Sequence, residues 1–181
     1  MTGDNYQNLA GRTLIPEPDF VIDSHTWTLA LDVLKLGIAA AQLCEKVKKG
    51  IFHQHGLTRE EVKHALAEIE DKWEEVSHTL KNEDIRTTVP ETSQNVMHVW
   101  TLIGLIGEAG EFSNLCRPHE DGRLPADEAI KDEGGDQLWY LSAHLKQRGI
   151  SLTDAMQYNV LKLQKRYPDG YNSDDSINRK E

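Results

Sequence analysis

Between Leu102 and Phe112 the chain reads Leu-Ile-Gly-Leu-Ile-Gly-Glu-Ala-Gly-Glu-Phe, an apolar run with two glutamates set into it three residues apart. Residues three and four apart share a face of an α-helix, so Glu108 and Glu111 project together from a helix whose other residues are apolar or small. That is not the composition of an ordinary solvated face. Gly104, Gly107 and Gly110 lie in the same run, and Gly134 and Gly135 follow further on. Each internal glycine costs a helix about 0.5–1 kcal/mol relative to alanine, a cost more readily tolerated where something must approach the backbone closely.

The rest of the chain repeats the helical period and gives few strand signals. Five helices are expected. The first runs from about Ser24 to Lys49, ending in Lys46, Lys48 and Lys49 before Gly50, as a helix C-terminus prefers. The second starts at Thr58, which forms a Thr-x-x-Glu capping box with Glu61, and continues to about Leu80. A polar connection with Asn82, Thr87, Thr88 and Pro90 then separates two halves. The third helix spans about Glu91 to Leu115. After the loop Arg117 to Leu124, Pro125 opens a fourth that ends near Arg148 and Gly149. Ser151, with Asp154 three residues on, opens a fifth that Pro168 and Gly170 close. The organisation expected is an N-terminal arm over 1–23, a helical hairpin over 24–80, a second helical region over 91–170, and a polar, disordered tail over 171–181.

Composition narrows what such helices can do. The formal charge of −10 argues against a nucleic-acid polymer as partner, since that binding rests on Lys and Arg neutralising phosphates. An acidic protein that handles phosphates needs a cation as intermediary. The two cysteines, Cys44 and Cys116, have no zinc or dithiol spacing. The N-terminus lacks the basic start and apolar stretch of a secretory signal. The apolar runs around Leu29–Leu43 and Val99–Ile106 read as too short and too interrupted to cross a bilayer. A soluble, cytoplasmic protein is the expectation, with no membrane partner.

An internal repeat is also discernible. Leu36–Leu43 set beside Leu105–Phe112 matches in size and apolarity, with Ala39 opposite Glu108 and Gln42 opposite Glu111. Downstream Ala67 falls opposite Glu133, Glu70 opposite Asp136 and Trp73 opposite Trp139; Gln42 to Trp73 spans 31 residues, against 28 from Glu111 to Trp139. The fold expected is therefore all-α, a bundle of two related helical hairpins, the N-terminal one degenerate and the C-terminal one intact, plus a fifth helix. The first hairpin would complete a four-helix core without holding metal, making the chain its own pseudo-dimer.

Glu133 and Asp136 form a second acidic pair at helical spacing. If the third and fourth helices are antiparallel, the two pairs face each other, and four converging carboxylates would force protonation unless a cation neutralised them. Oxygen ligands without His or Cys favour Mg²⁺, with Mn²⁺ as a substitute. Asn159, Lys162 and Arg166 share a face of the fifth helix and suit phosphate oxygens, although such a stripe also serves as a solvated basic face. Glu61-x-x-His64 and Glu75-x-x-His78 mimic a di-iron signature, but 14 residues on one helix separate them by about 21 Å.

Three ordered segments carry a resemblance: Ile106-Gly-Glu-Ala-Gly-Glu-Phe112, Asp132-Glu-Gly-Gly-Asp-Gln-Leu-Trp-Tyr-Leu141, and Asn159-Val-Leu-Lys-Leu-Gln-Lys-Arg-Tyr-Pro-Asp-Gly170. Together they resemble the MazG-like nucleotide pyrophosphohydrolases of the all-α NTP pyrophosphatase superfamily, whose pattern is Glu-x-x-Glu, a gap, then Glu-x-x-Asp. Here 21 residues, 112–132, separate Glu111 from Glu133. The resemblance implies hydrolysis of a (deoxy)nucleoside triphosphate to the monophosphate and pyrophosphate, with Glu108, Glu111, Glu133 and Asp136 on Mg²⁺ and Asn159, Lys162 and Arg166 near the phosphates. Glu111, with Glu108 beside it, would take the water's proton. Tyr140 would line the nucleotide site, and Trp100 would either stack on a base or fill the core. Ile51-Phe52-His53 with Gly56-Leu57 is similar to the segment between the family's acidic motifs, but the first half lacks the carboxylates, leaving one functional site per chain. A homodimer is compatible with this arrangement. The rival reading is a helical nucleotide sensor or adaptor without turnover.

Overall fold

The computed structural model describes residues 1–14, 22–86, 88–89, 93–117 and 122–178. Among these the fold is all-α, with helices α1 (Gly3–Ala10), α2 (Ser24–Phe52), α3 (Arg59–Lys81), α4 (Ser93–Cys116), α5 (Asp127–Gln147), α6 (Leu152–Arg166) and α7 (Ser173–Ile177). The expected helix start at Glu91, Thr87 and Pro90 of the connection, and the loop positions 118–121 lie outside the described residues. The chain divides into two compact units, one made of 1–21 and 90–154, the other of 22–89 and 155–181.

The second unit is built on the antiparallel hairpin α2–α3. Thr58 caps α3 as its sequence prescribes: Glu61 N–H donates to the Thr58 hydroxyl at 3.2 Å, and Thr58 N–H donates to the Glu61 carboxylate at 2.8 Å. Asp23 does the same for α2, accepting from His25 N–H and Thr26 N–H at 2.9 Å each. Gly50 does not stop α2, which runs on to Phe52. A Cβ there would meet that of Leu57 at 2.4 Å, so the glycine lets the returning chain pack against the helix. Reversal of direction falls on Gln54 and Gly56, both with positive φ. The buried Asp32 accepts from the Thr79 hydroxyl at 2.8 Å and pairs with Lys35, joining the two helices by a polar contact inside the hairpin.

Contrary to the reading of its apolar runs as too short, α2 is long and apolar enough to cross a membrane by length and composition, with a window of mean hydropathy 1.4. In this unit it buries Trp27, Thr28, Asp32 and Ala39 along its length. Where a disordered tail is expected, Asn172 caps α7 by accepting from Asp175 N–H at 2.7 Å, and the buried Ser176 hydroxyl lies 3.1 Å from His55 Nε2.

In the first unit α4 and α5 form the other antiparallel hairpin. Gln94 reaches the carbonyl of Gln147, and the buried Thr101 hydroxyl lies 2.9 Å from His144 Nδ1. Burial holds the His144 imidazole below its usual pKa, with the His98 ring and Arg148 acting in the same direction. Ser151 opens α6 as expected, its hydroxyl accepting from Asp154 N–H at 3.2 Å.

The N-terminal arm carries a helix, α1, that the sequence reading does not anticipate. Thr2 caps it by accepting from Asn5 N–H. Its buried Gln7 donates to the carbonyls of Ser142 (3.2 Å) and Ile150 (3.0 Å) and accepts from Leu152 N–H. Trp139 Nε1 donates to Ala10 O and to the Thr13 hydroxyl, the latter at 2.8 Å. Bonds spanning 126 to 145 residues of sequence hold an eight-residue helix that is too short to be stable alone.

Candidate metal centre

The α4–α5 hairpin brings Glu108, Glu133 and Asp136 together, with one carboxylate oxygen of each lying within 4.8 Å of the others. Octahedral Mg²⁺ with oxygens at about 2.0–2.1 Å holds neighbouring ligands about 3 Å apart and opposite ones about 4 Å apart. Glu111, the fourth carboxylate expected, is exposed and stays outside this three-way group, although its charge acts on Glu108 and Glu133.

Electrostatics favour a cation. Desolvation raises the pKa of Glu108, and the charges of Glu111, Asp136 and Glu133 raise it further. Glu133 is raised for the same first reason, then by Glu111, Asp136 and Asp132. No Lys, Arg or His of the described residues forms an ion pair with Glu108, Glu133 or Asp136. Two half-buried carboxylates and the exposed Asp136 beside them, with no ion-pair partner among the described residues, are the donor set of a hard divalent cation.

Aromatic rings pack beside the acids. Trp100, Trp139 and Tyr140 meet edge to face, with centroids 5.6 Å apart for Trp100–Trp139, 5.8 Å for Trp100–Tyr140 and 4.9 Å for Trp139–Tyr140. Trp100 therefore packs against rings of its own hairpin. The Tyr140 hydroxyl has a raised pKa from burial, with Glu108 and Asp136 contributing, which places it in the field of the carboxylates.

The expectation that the glycines accommodate a close approach holds within the chain for Gly104, whose missing side chain leaves room for the Tyr140 ring. At Gly134 an added Cβ would make ordinary contact with Phe112, and at Gly107, Gly110 and Gly135 it would meet nothing within 4 Å.

Asn159, Lys162 and Arg166 stand on the part of α6 assigned to the second unit. Asn159 and Lys162 are exposed; Arg166 is half-buried, its guanidinium 6.0 Å from the Tyr167 ring and its Nε buried without a hydrogen-bond partner. In the α2–α3 hairpin Ala39 is buried, whereas Gln42, Ala67, Glu70 and Trp73 are exposed.

One neighbour of the acids was missed by sequence reasoning. Tyr6 of α1 donates its hydroxyl to the carbonyl of Gly135 at 3.2 Å, and its pKa is raised by burial and then by Asp136. Thr2 as a cap and the i, i+3, i+4 spacing of Tyr6, Leu9 and Ala10 were the only local signals for that helix.

No curated protein and no solved structure matches the chain. A family model does match, over residues 97–171, which span all three motifs and both helices of the carboxylate hairpin from Met97 on. Residues 97–171 are thus similar to the MazG nucleotide pyrophosphohydrolase domain, whose family model they match.

Proposed function

We propose that this protein hydrolyses (deoxy)nucleoside triphosphates to the monophosphate and pyrophosphate with Mg²⁺, or Mn²⁺ in its place, and so controls or cleans a cytoplasmic nucleotide pool. The observation that carries this reading is the convergence of Glu108, Glu133 and Asp136 inside a segment that matches a pyrophosphohydrolase family. Glu108, Glu133 and Asp136 hold the cation, whose chemistry is to neutralise phosphate oxygens and acidify water. Glu111, exposed and outside the three, is placed as the base that accepts the proton of the attacking water. Tyr140 borders the nucleotide, and the resemblance to the family implies phosphate-binding roles for Asn159, Lys162 and Arg166 of α6. The α2–α3 hairpin is the degenerate copy, without a metal site, and the chain works with one site whether it is monomeric or a homodimer.

The test is pyrophosphate release from a panel of ribo- and deoxynucleoside triphosphates with Mg²⁺ or Mn²⁺, for the full chain and for Glu133→Gln. Equal amounts of monophosphate and pyrophosphate, lost in the variant, are expected. Nucleotide binding without turnover across the panel would overturn the hydrolase in favour of a sensor.

A further inference from the structure

Glu133 and Asp136 flank Gly134-Gly135, a pair of adjacent glycines in the middle of a helix, where the backbone is least restrained. Side-chain packing does little to stiffen this turn: a Cβ at 134 would touch only Phe112, and one at 135 would touch nothing. A metal site needs its donors held to a fraction of an ångström, so the restraint has to come from elsewhere.

It comes from α1. The Tyr6 hydroxyl donates to the carbonyl of Gly135, the residue immediately before Asp136. Tyr6 is itself held from both sides. Gln7, next to it, is buried and bonded to Ser142, Ile150 and Leu152, while Trp139 on α5 ties down Ala10 and Thr13. At the start of the helix the Asp4 carboxylate accepts from the Ser151 hydroxyl at 2.6 Å and from Thr153 N–H at 3.1 Å. The phenol therefore reaches the glycine turn from a frame anchored to α5 and to the first turn of α6.

We propose that α1 is part of the metal-binding unit and that Tyr6 is a positioning residue for the Glu133–Asp136 carboxylate pair, acting through the Gly135 carbonyl. The proposal rests on the reading of Glu133 and Asp136 as metal ligands, and it extends the site to a helix outside the segment that matches the family. Without the phenol bond the turn samples more conformations, the carboxylate oxygens spread, and the ion is held less tightly while the helix itself persists.

The experiment is a Mn²⁺ titration of the full chain without nucleotide, following free Mn²⁺ by electron paramagnetic resonance, for the wild type, Tyr6→Phe and Thr13→Val. Tyr6→Phe keeps the ring and removes the hydroxyl; Thr13→Val removes an anchor of the same segment away from the acids. Loss of one such bond predicts about three- to tenfold weaker Mn²⁺ binding in Tyr6→Phe, with unchanged circular dichroism. Thr13→Val should bind Mn²⁺ as the wild type does. Unchanged affinity in Tyr6→Phe would overturn the proposal, as would equal weakening in both variants, which would make α1 a general stabiliser only. A wild type that binds no Mn²⁺ would overturn it as well. If Tyr6→Phe weakens Mn²⁺ binding but the wild type turns over no nucleotide, the hydrolase reading fails and the role of Tyr6 stands. Turnover by a wild type whose Mn²⁺ affinity Tyr6→Phe leaves unaltered would be the reverse.

Discussion

The ring of Tyr140 occupies the space that a side chain at Gly104 would need: a Cβ built at 104 would stand 2.0 Å from the ring. Tyr140 cannot yield freely, because Trp100 and Trp139 pack edge-on against it. Gly104→Ala should therefore destabilise the protein by about 1–3 kcal/mol, the usual cost of overpacking. Gly107→Ala, where the added methyl meets nothing, should stabilise it by about 0.5–1 kcal/mol by removing backbone freedom from the unfolded chain. Urea denaturation of the two variants checks both signs. If Gly107→Ala gains stability and loses turnover, the open glycine serves the approach of substrate.

The carboxylates predict an unusual dependence on pH. The pKa values of Glu108 and Glu133 are raised in the folded protein, so above the ordinary glutamate value of 4.5 the native state holds more protons than the unfolded chain. Stability should fall as pH rises from 4.5 through their folded pKa values, and the penalty should be complete above them. With chelator present, the melting temperature of the wild type should therefore fall relative to that of Glu108→Gln across this window, the opposing contribution of His144 being common to both. Mg²⁺ or Mn²⁺ should raise the melting temperature at neutral pH in the wild type. A wild-type profile in chelator no steeper than that of Glu108→Gln would contradict the electrostatic account of the site.

Gln7 shows where sequence reading stopped. The capping box at Thr58 and the spacing of the acidic pairs are local, so they could be read directly, and the α4–α5 hairpin then brought Glu108, Glu133 and Asp136 together. Glu111 shares the spacing of Glu108 but is exposed and stays outside the group, although its charge still acts on Glu108 and Glu133, a placement that the spacing alone does not announce. The short helix α1 has little apolar surface, and its order derives from bonds to Trp139, Ser142 and Leu152 that no local pattern announces. Trp73 falls opposite Trp139 in the expected repeat, yet it is 59% exposed, whereas Trp139 bonds to Ala10 and Thr13.

Gln7→Leu should therefore be costly although it is nearly isosteric. The variant would leave Leu152 N–H without its partner in a buried place, at a cost of about 1–3 kcal/mol, and would remove the donor to the part-buried Ile150 carbonyl as well. The urea midpoint should fall with the slope of the transition unchanged. A midpoint equal to that of the wild type would mean that water replaces the amide.

The position of Glu111 separates two roles that motif reading merges. A carboxylate that holds the cation should, when replaced by its amide, cost both Mn²⁺ affinity and turnover. One that only accepts a proton should cost turnover alone, by about 10²–10⁴-fold. Glu133 lies in the three-way group and Glu111 outside it. Glu133→Gln is thus expected to lose Mn²⁺ binding together with pyrophosphate release, and Glu111→Gln to retain Mn²⁺ while releasing little pyrophosphate. Removing the Glu111 charge also relieves repulsion on Glu108 and Glu133. Their protons then leave more readily, which offsets part of the attraction for Mn²⁺ that the charge supplied, so at mildly acidic pH Glu111→Gln should lose far less Mn²⁺ affinity than Glu133→Gln. Parallel Mn²⁺ titrations and turnover assays decide the matter: if Glu111→Gln loses the metal as completely as Glu133→Gln does, Glu111 swings in to become a ligand and the base must be sought elsewhere.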